Sequence, residues 1–319
     1  MITLIMAASI PMQSVRVVKS ATCGRKLVAT SRFAPGQCIL EELPYVYTLC
    51  DNTRGLYCDF CLKKSSTLKK CSSCNYVRYC NTSCQKRDWT RCHKQECKIL
   101  QKIHPSPPDL HGAQLLSHLI RKQRKSTPCT QDNEDCFPTT VDQLESHLSY
   151  AKKDNIESLL FVLQQFFEED VLAEPSSLVK MYGVINCNSF SIYNNDLIAI
   201  ASGIYLRASM VNHSCDPNCT WVFDGRKLQL RTVKDVTEGE ECTISYIDNI
   251  NPTKERQAEL EKRYHFTCKC VRCVEEINSL EPGDGLSKEL RGLKKSLEQI
   301  EDLEESQDIL RCHLSLFRK

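Results

Sequence analysis

Apolar runs long enough to cross a bilayer are missing from this sequence, and so is a strong excess of either charge. A membrane-spanning helix needs about twenty mainly apolar residues in a row, and no segment of the 319 residues meets that requirement. The formal net charge is only +2, so the chain has no overall field that would attract nucleic acid. The apolar opening, Met1 to Ser9, is short and has no basic flank, and we expect it not to be a targeting segment. A soluble protein is expected.

Cysteine, by contrast, is abundant, with 21 residues in the chain. Without an export signal these cysteines do not indicate a secreted disulfide framework, and metal binding is the better interpretation. Four closely spaced ligand pairs lie within forty residues, enough for two zinc sites with four ligands each. The pairs are Cys58 and Cys61, Cys71 and Cys74, Cys80 and Cys84, and His93 and Cys97. Buried free cysteines or redox thiols are the alternative, which four pairs in order make less favourable.

The cysteine-rich segment is also strongly basic. From Arg54 to Lys98 it contains eleven Lys or Arg and three Asp or Glu, a difference of +8. Such a composition either solvates a module with little apolar core or forms a site for a partner, and the sequence favours neither.

A second group of motifs lies in the C-terminal half of the chain. Asn212 to Asn218 reads Asn-His-Ser-Cys-Asp-Pro-Asn, and Thr243 to Tyr246 reads Thr-Ile-Ser-Tyr. A third set of four sulfurs consists of Cys215, Cys268, Cys270 and Cys273. Because its members come from two distant segments, a metal there would hold the later segment against the turn at Cys215. We predict a structural zinc, since nothing indicates an open coordination position.

Apolar periodicity predicts a mixture of strands and helices. Short strands are predicted from Val15 to Leu49, with turns at Cys23-Gly24 and Ala34 to Gly36, and again from Ile185 to Tyr246. Within the second region, alternation on both sides of Asp224-Gly225 predicts a hairpin. Helices are predicted at Leu110 to Arg121, Val141 to Ala151 and Ile156 to Leu172, and an apolar stripe predicts another from Leu286 onward.

Together these motifs, with the run Gln85 to Trp89 inside the cysteine-rich module, resemble the SET and MYND family of protein lysine methyltransferases over nearly the whole chain. The resemblance implies an α+β fold, in which a SET-domain β-fold is split by an inserted zinc-binding MYND module. A helical insert, a zinc-binding post-SET segment and a truncated helical C-terminus are also implied. The implied domains are the N-terminal part of the SET domain at 14–53, the MYND zinc finger at 54–98, the helical SET insert at 99–184, the core SET domain at 185–250, the post-SET zinc segment at 251–280, and the start of a helical C-terminal domain at 281–319.

The resemblance also implies that the two zinc sites of the MYND module interleave. One ion would take Cys58, Cys61, Cys80 and Cys84, and the other Cys71, Cys74, His93 and Cys97. The spacing from Cys84 to His93 is one residue longer than is usual in the family, so Cys92 stands where the histidine is expected and is a rival ligand. With the set at Cys215, three zinc ions are expected.

The activity implied is S-adenosylmethionine-dependent methylation of lysine side chains on histones or other proteins. Methyl transfer needs a neutral amine, whereas lysine has a pKa of about 10.4; a dry aromatic channel beside the positive sulfonium favours the neutral form. Tyr246 is implied to orient the amine, with Phe190 and Tyr264 lining the lysine channel and Tyr205 as a weaker candidate. The implied cofactor-binding residues are Gly24, Arg25, His147, Asn212, His213, Tyr246 and Phe266. Ordinary core packing is the alternative for the aromatic residues.

One departure from the family concerns the first cofactor loop, where a glycine-flanked asparagine is usual and this chain has Gly24-Arg25-Lys26. A cation near a sulfonium is unfavourable unless it turns toward the carboxylate of the cofactor. A non-catalytic zinc scaffold is therefore the alternative function. MYND modules resemble peptide binders, sometimes with weak DNA contacts, and the family resemblance implies a chromatin regulator of the cytoplasm and nucleus.

Overall fold

The computed structural model of the chain describes residues 14–20, 24–103, 111–125, 136–146, 163 and 175–279. The predicted helix from Leu286 onward lies outside these residues, and so does the candidate cofactor residue His147. Of the predicted helix Ile156 to Leu172, only Leu163 is described, and it is helical and buried. Within the described ranges, no helix is long and apolar enough to cross a membrane.

The N-terminal segment folds as short strands, which confirms the prediction from its periodicity. Strand β1 (Val15–Ser20) pairs antiparallel with β2 (Gly24–Ala29), and β3 (Cys38–Glu42) and β4 (Val46–Leu49) follow. The predicted turn between β2 and β3 contains Gly36 with a φ of +87°, a conformation that suits glycine because it has no Cβ.

The cysteine-rich segment forms a small module after β4. It consists of β5 (Lys69–Lys70), β6 (Arg78–Tyr79), helix α1 (Thr82–Asp88), one turn of π-helix (Trp89–His93) and helix α2 (Lys94–Ile103). Its core combines a few large apolar residues, among them Phe60 and Leu100, with buried cysteines. The module is tied to the strands, because the hydroxyl of Tyr47 on β4 donates a hydrogen bond to the carbonyl of Phe60 at 2.6 Å.

Two sheets join strands from before and after this module. The later strands are β7 (Ser189–Tyr193), β8 (Ala199–Ile204), β9 (Asn212–His213), β10 (Cys219–Asp224), β11 (Lys227–Thr232) and β12 (Thr243–Ile244). One sheet has the order β4-β8-β7 and another the order β10-β11-β3. The predicted hairpin is confirmed, because Asp224 pairs with Lys227 across a turn in which Gly225 has a φ of +57°.

The pairing of β9 with β12 is parallel and brings the two C-terminal motifs together. Asn212 faces Thr243 and His213 faces Ile244, although the two strands are about thirty residues apart in the chain. Parallel strands need a crossover between them, and here β10 and β11 form it. The motif that begins at Asn212 therefore lies beside the motif that ends at Tyr246.

Helix α3 (His111–Lys125) confirms the predicted helix Leu110 to Arg121 from His111 onward and continues beyond its predicted end to Lys125, and helix α4 (Pro175–Asn188) follows later. The prediction of strand from Ile185 is wrong, because α4 continues to Asn188. The apolar residues Leu178, Met181 and Val184 recur every three residues and are buried on one face, a pattern that a helix satisfies.

The predicted helix starting at Val141 is also wrong for the residues described. A single 3-10 turn covers Val141–Gln143, and the backbone at Leu144 is extended, with φ −91° and ψ 156°. The Gln143 side chain accepts a hydrogen bond from the Thr139 amide at 2.9 Å, and the carbonyl of Glu145 accepts one from Asn188 at 2.8 Å. These two hydrogen bonds, one local and one tertiary, take the place of the backbone hydrogen bonds that an α-helix would form.

After β12 the chain forms α5 (Thr253–Tyr264) and α6 (Val271–Ser279). A separate small core joins Ile247, Leu260 and Tyr264 to three of the buried cysteines. Helix α5 ends at His265 in a left-handed conformation with a φ of +60°, which reverses the chain and leads Phe266 back toward β9.

Candidate active site and metal centres

The paired cysteines and histidine of the small module assemble into two sets of four. In the first set, Cys58, Cys61, Cys80 and Cys84 have all their sulfurs within 4.8 Å of one another, and Cys61 and Cys80 are 3.5 Å apart. Tetrahedral zinc with bonds of about 2.3 Å holds its sulfurs about 3.8 Å apart. The geometry therefore fits one zinc ion bound by the first and third pairs.

The second set combines the other two pairs. Cys71, Cys74, His93 and Cys97 lie within the same 4.8 Å limit and are all buried. The sulfurs of Cys71 and Cys97 are 3.8 Å apart, and Nε2 of His93 is 3.6 Å from the sulfur of Cys74. Interleaving of the four pairs, which the family resemblance implies, agrees with this arrangement.

A π-helical turn determines whether Cys92 or His93 joins the second set. The amide of Lys94 bonds the carbonyl of Trp89, five residues earlier, within Trp89–His93, and such a turn accommodates one residue more than an α-helical turn. This turn accommodates the extra residue between Cys84 and His93. His93 consequently joins the second set, whereas Cys92 belongs to a different cluster with Glu96 and His118.

The third set lies in the turn after β9 and in the segment after α5. Cys215, Cys268, Cys270 and Cys273 lie within 4.8 Å of one another, and the sulfurs of Cys215 and Cys273 are 3.4 Å apart. All four side chains are cysteines, and their sulfurs are close enough to surround one tetrahedral zinc ion. This set therefore also fits a zinc ion.

A cavity of about 930 Å³ opens beside the third set. It is lined by most of the residues that the sequence nominated for the cofactor and the lysine. These are Gly24, Arg25, Asn212, His213, Tyr246, Tyr264 and Phe266. Cys268 and Cys270 also line it, so the third sulfur set forms part of its wall.

Tyr246 and its aromatic neighbours form one side of the cavity. The Tyr246 ring lies 5.0 Å from the Tyr264 ring and 5.3 Å from the imidazole of His213, and Phe266 lies 5.9 Å from the same imidazole. Burial, and then the neighbouring Tyr264, raise the pKa of Tyr246, and burial raises the pKa of Tyr264 to about 12. Both hydroxyls therefore stay protonated at neutral pH.

The hydroxyl of Tyr246 is held by the backbone. It donates a hydrogen bond to the carbonyl oxygen of Val211 at 2.6 Å. This leaves the lone pairs of the phenol oxygen available to accept a proton donor from the cavity.

A polar cluster holds the start of β2, where Gly24, Arg25 and Lys26 lie in a strand and not in the expected loop, to β9. The amide nitrogen of the Asn212 side chain donates to the carbonyl of Arg25 at 3.2 Å and to a carboxylate oxygen of Glu241 at 2.9 Å. The Arg25 guanidinium donates to the carbonyl of Gln143. Lys26 lies 3.8 Å from Glu241 and is not among the residues that line the cavity. Glu241 was missed in the sequence, because its pairing depends on the β9–β12 contact.

Two aromatic candidates lie elsewhere. Phe190 is 1% exposed and packs edge-on against Tyr205 at 5.7 Å and Trp221 at 5.9 Å. The Tyr205 hydroxyl donates to the carbonyl of Arg226 at 2.7 Å. Neither Phe190 nor Tyr205 lines the cavity, and His147 is outside the described residues. Cys187 and Met210, which the sequence did not single out, do line it.

The family match and the individual relatives of this chain agree with each other. The SET domain family matches residues 24–247. Histone-lysine N-methyltransferase SMYD3 from Homo sapiens is 34% identical over 300 residues, covering 92% of this chain and 69% of that protein. N-lysine methyltransferase SMYD2 from Homo sapiens is 34% identical over 255 residues, covering 79% of this chain and 58% of that protein.

Among solved structures, the SET domain of LSMT bound to lysine and AdoHcy aligns over 82% of this chain and 54% of that chain, with a TM-score of 0.44 and 15% identity.

Proposed function

Because the chain belongs to the SET domain family, and within it to the SET and MYND protein lysine methyltransferases, we propose that it transfers methyl groups from S-adenosylmethionine to lysine side chains of histones or other proteins. The observation that carries this proposal is the 930 Å³ cavity, which joins the start of β2 at Gly24, the Asn212 motif and Tyr246. Ligand sites commonly have volumes of about 300–1,000 Å³, so the cavity has room for a cofactor.

The residues around the cavity suit the parts of S-adenosylmethionine. Phe266 offers an aromatic face for the adenine, and Asn212 and His213 offer polar groups on β9. Arg25 is the cation of β2 that lines the cavity, and its guanidinium would pair with the carboxylate of the cofactor. When bound, the cofactor supplies an activated methyl group on a positive sulfur.

Tyr246 and Tyr264 act on the lysine. Their rings, 5.0 Å apart, form a poorly hydrated surface that disfavours the ammonium form of the substrate and so lowers its pKa. The phenol oxygen of Tyr246, whose proton is donated to the carbonyl of Val211, accepts an N–H of the neutral amine. This contact points the amine lone pair along the line of methyl transfer.

The three sulfur sets have structural roles in this proposal. Three zinc ions would be held by Cys58, Cys61, Cys80 and Cys84, by Cys71, Cys74, His93 and Cys97, and by Cys215, Cys268, Cys270 and Cys273. Each set offers four protein ligands, which leaves no coordination position for substrate. The third ion stabilises the wall of the cavity, because Cys268 and Cys270 belong to both.

We also propose the domain boundaries that the family resemblance implies. Residues 14–53 and 185–250 form the SET domain, 54–98 the MYND module, 99–184 the insert between them, and 251–280 the post-SET segment, whereas 281–319 lie outside the described residues. The basic MYND module would bind peptide partners, with weak DNA contact as a second mode. Such a protein would act in the cytoplasm and the nucleus.

The non-catalytic scaffold remains a distinct second candidate because of Arg25 and Lys26. The scaffold requires these two cations to interfere with the cofactor. This is less favourable because Lys26 pairs with Glu241 and Arg25 binds the carbonyl of Gln143. Isothermal titration of the full chain with S-adenosylmethionine, followed by methylation of a peptide array with labelled cofactor, tests the enzyme. Absence of both cofactor binding and methylation would favour the scaffold.

A further inference from the structure

A fourth set of metal-binding side chains lies between the MYND module and helix α3. A sulfur of Cys92, a carboxylate oxygen of Glu96 and a ring nitrogen of His118 lie within 4.8 Å of one another, and all three residues are buried. Cys92 comes from the π-helical turn, Glu96 from α2 and His118 from α3. Thiolate, carboxylate and imidazole are all common zinc ligands.

The imidazole of His118 is oriented as a metal ligand would be. Its Nδ1 lies 3.3 Å from the carbonyl oxygen of Tyr47, so a proton on Nδ1 can be donated there, and Nε2 then carries the lone pair. Histidines that bind metals almost always make such a hydrogen bond with their other ring nitrogen. The backbone of β4 thereby selects the tautomer that can ligate.

The environment of Nε2 also points to an ion. It lies 2.8 Å from Oε1 of Glu96, yet it is buried and makes no hydrogen bond of acceptable geometry within the described part of the chain. Two ligand atoms of one metal are held close together without a hydrogen bond between them. Glu96 is itself fixed, because Oγ of Ser117 donates to the same oxygen at 3.0 Å.

The charges around the set permit a divalent cation. The Cys92 sulfur lies 3.8 Å from Oδ1 of Asp88. On metal binding its thiol proton would leave to solvent, and the resulting thiolate and the Glu96 carboxylate would neutralise the two charges of the ion. Arg91 pairs with Asp88 at 2.7 Å, whereas Arg121 lies 3.4 Å from the carboxylate of Glu96 itself. Lys122, Lys125 and Arg226 line the adjacent cavity, and this positive charge favours an anion beside the metal.

An open position completes the arrangement. Cys92 and His118 line a cavity of about 450 Å³, together with Arg121 and Lys122. Zinc with three protein ligands usually takes water or another small ligand in the fourth position. We propose that Cys92, Glu96 and His118 bind a fourth zinc ion, whose remaining position is filled by water or an anionic group from this cavity.

The ion can be counted directly in the full chain. Native mass spectrometry of the wild-type protein, prepared with zinc, should find four ions per chain, whereas three or fewer would overturn the proposal. A His118→Ala variant should lose one ion relative to the wild type. His111→Ala is the matched control on the same helix, since the His111 ring contacts the carbonyl of Leu49 at 2.9 Å and the hydroxyl of Ser202 at 3.0 Å, and its ion count should not change.

Cobalt substitution tests the sulfur ligand separately. The difference spectrum between cobalt-loaded wild type and cobalt-loaded His118→Ala should contain a thiolate-to-cobalt charge-transfer band. The spectrum of a cobalt-loaded Cys92→Ser variant should lack this band as well. The spectrum of cobalt-loaded Cys38→Ser, which removes a half-buried thiol outside the set, should contain it. If the metal content of wild type and His118→Ala is equal, Glu96 and His118 form a simple buried ion pair and the proposal is wrong.

Discussion

The backbone amide of Tyr246 donates a hydrogen bond to Nδ1 of His213 at 3.0 Å. Because Nδ1 accepts, the ring proton is on Nε2, which lies 3.2 Å from the sulfur of Cys215. One imidazole therefore connects the tyrosine beside the cavity to a ligand of the third sulfur set. Loss of metal from that set is expected to disturb the position of Tyr246.

A Tyr246→Phe substitution should abolish most methyl transfer without unfolding the protein. The phenol oxygen is lost while the ring contacts with Tyr264 and His213 remain, and the contribution of such a positioned group is about 10²-fold or more. Turnover would be measured with labelled cofactor on histones, alongside circular dichroism and zinc content. Unchanged turnover would remove Tyr246 from the mechanism.

A Cys268→Ser substitution should release one zinc ion and reduce turnover strongly. Cys268 is both a member of the third set and part of the cavity wall, so loss of the ion loosens the segment that carries Tyr264 and Phe266. Zinc content and methyl transfer would be measured on the same preparation. Cys136→Ser, at an exposed thiol, is the control, and equal losses in both variants would contradict this role.

Separate substitution of Arg25 and Lys26, the two cations of β2, should distinguish their roles. Arg25→Ala should weaken binding of S-adenosylmethionine by about 10-fold or more, because a charge-assisted pair contributes about 1.5–3 kcal/mol. Lys26→Ala should change affinity by less than about 3-fold, since Lys26 pairs with Glu241 at 3.8 Å and such half-exposed pairs contribute little. Calorimetric titration measures both. Much tighter binding by Lys26→Ala would show instead that this lysine obstructs the cofactor.

An Asn218→Ala substitution should destabilise the fold. The side chain donates to the carbonyl of Glu241 at 2.8 Å and accepts from the amide of Thr243 at 2.8 Å, and the residue is 8% exposed. Leaving these buried backbone groups without partners costs about 1–3 kcal/mol each. Urea unfolding measures the loss, and the exposed Asn195→Ala should change stability by less than about 0.5 kcal/mol.

Much of the candidate site could be predicted from local sequence. Ligand pairs separated by two or three residues lie on one turn, so their spacing indicates a metal site before any fold is known. The β10–β11 hairpin was equally predictable, because alternation and the glycine at 225 are local signals. The helix at Val141 and the strand at Ile185 were mispredicted, because apolar residues in short runs satisfy either periodicity.

The chemical groups of the site, and which of them are neighbours along the chain, can be recognised in the amino-acid sequence: the sulfur pairs, the Asn212 motif and Tyr246. Which distant groups meet is known only from the folded chain. The π-helical turn directed His93 into a sulfur set and Cys92 toward His118, and the packing of β7 put Phe190 against Trp221 instead of in the cavity. These arrangements depend on contacts between segments far apart in sequence, and no local pattern of residues encodes such contacts.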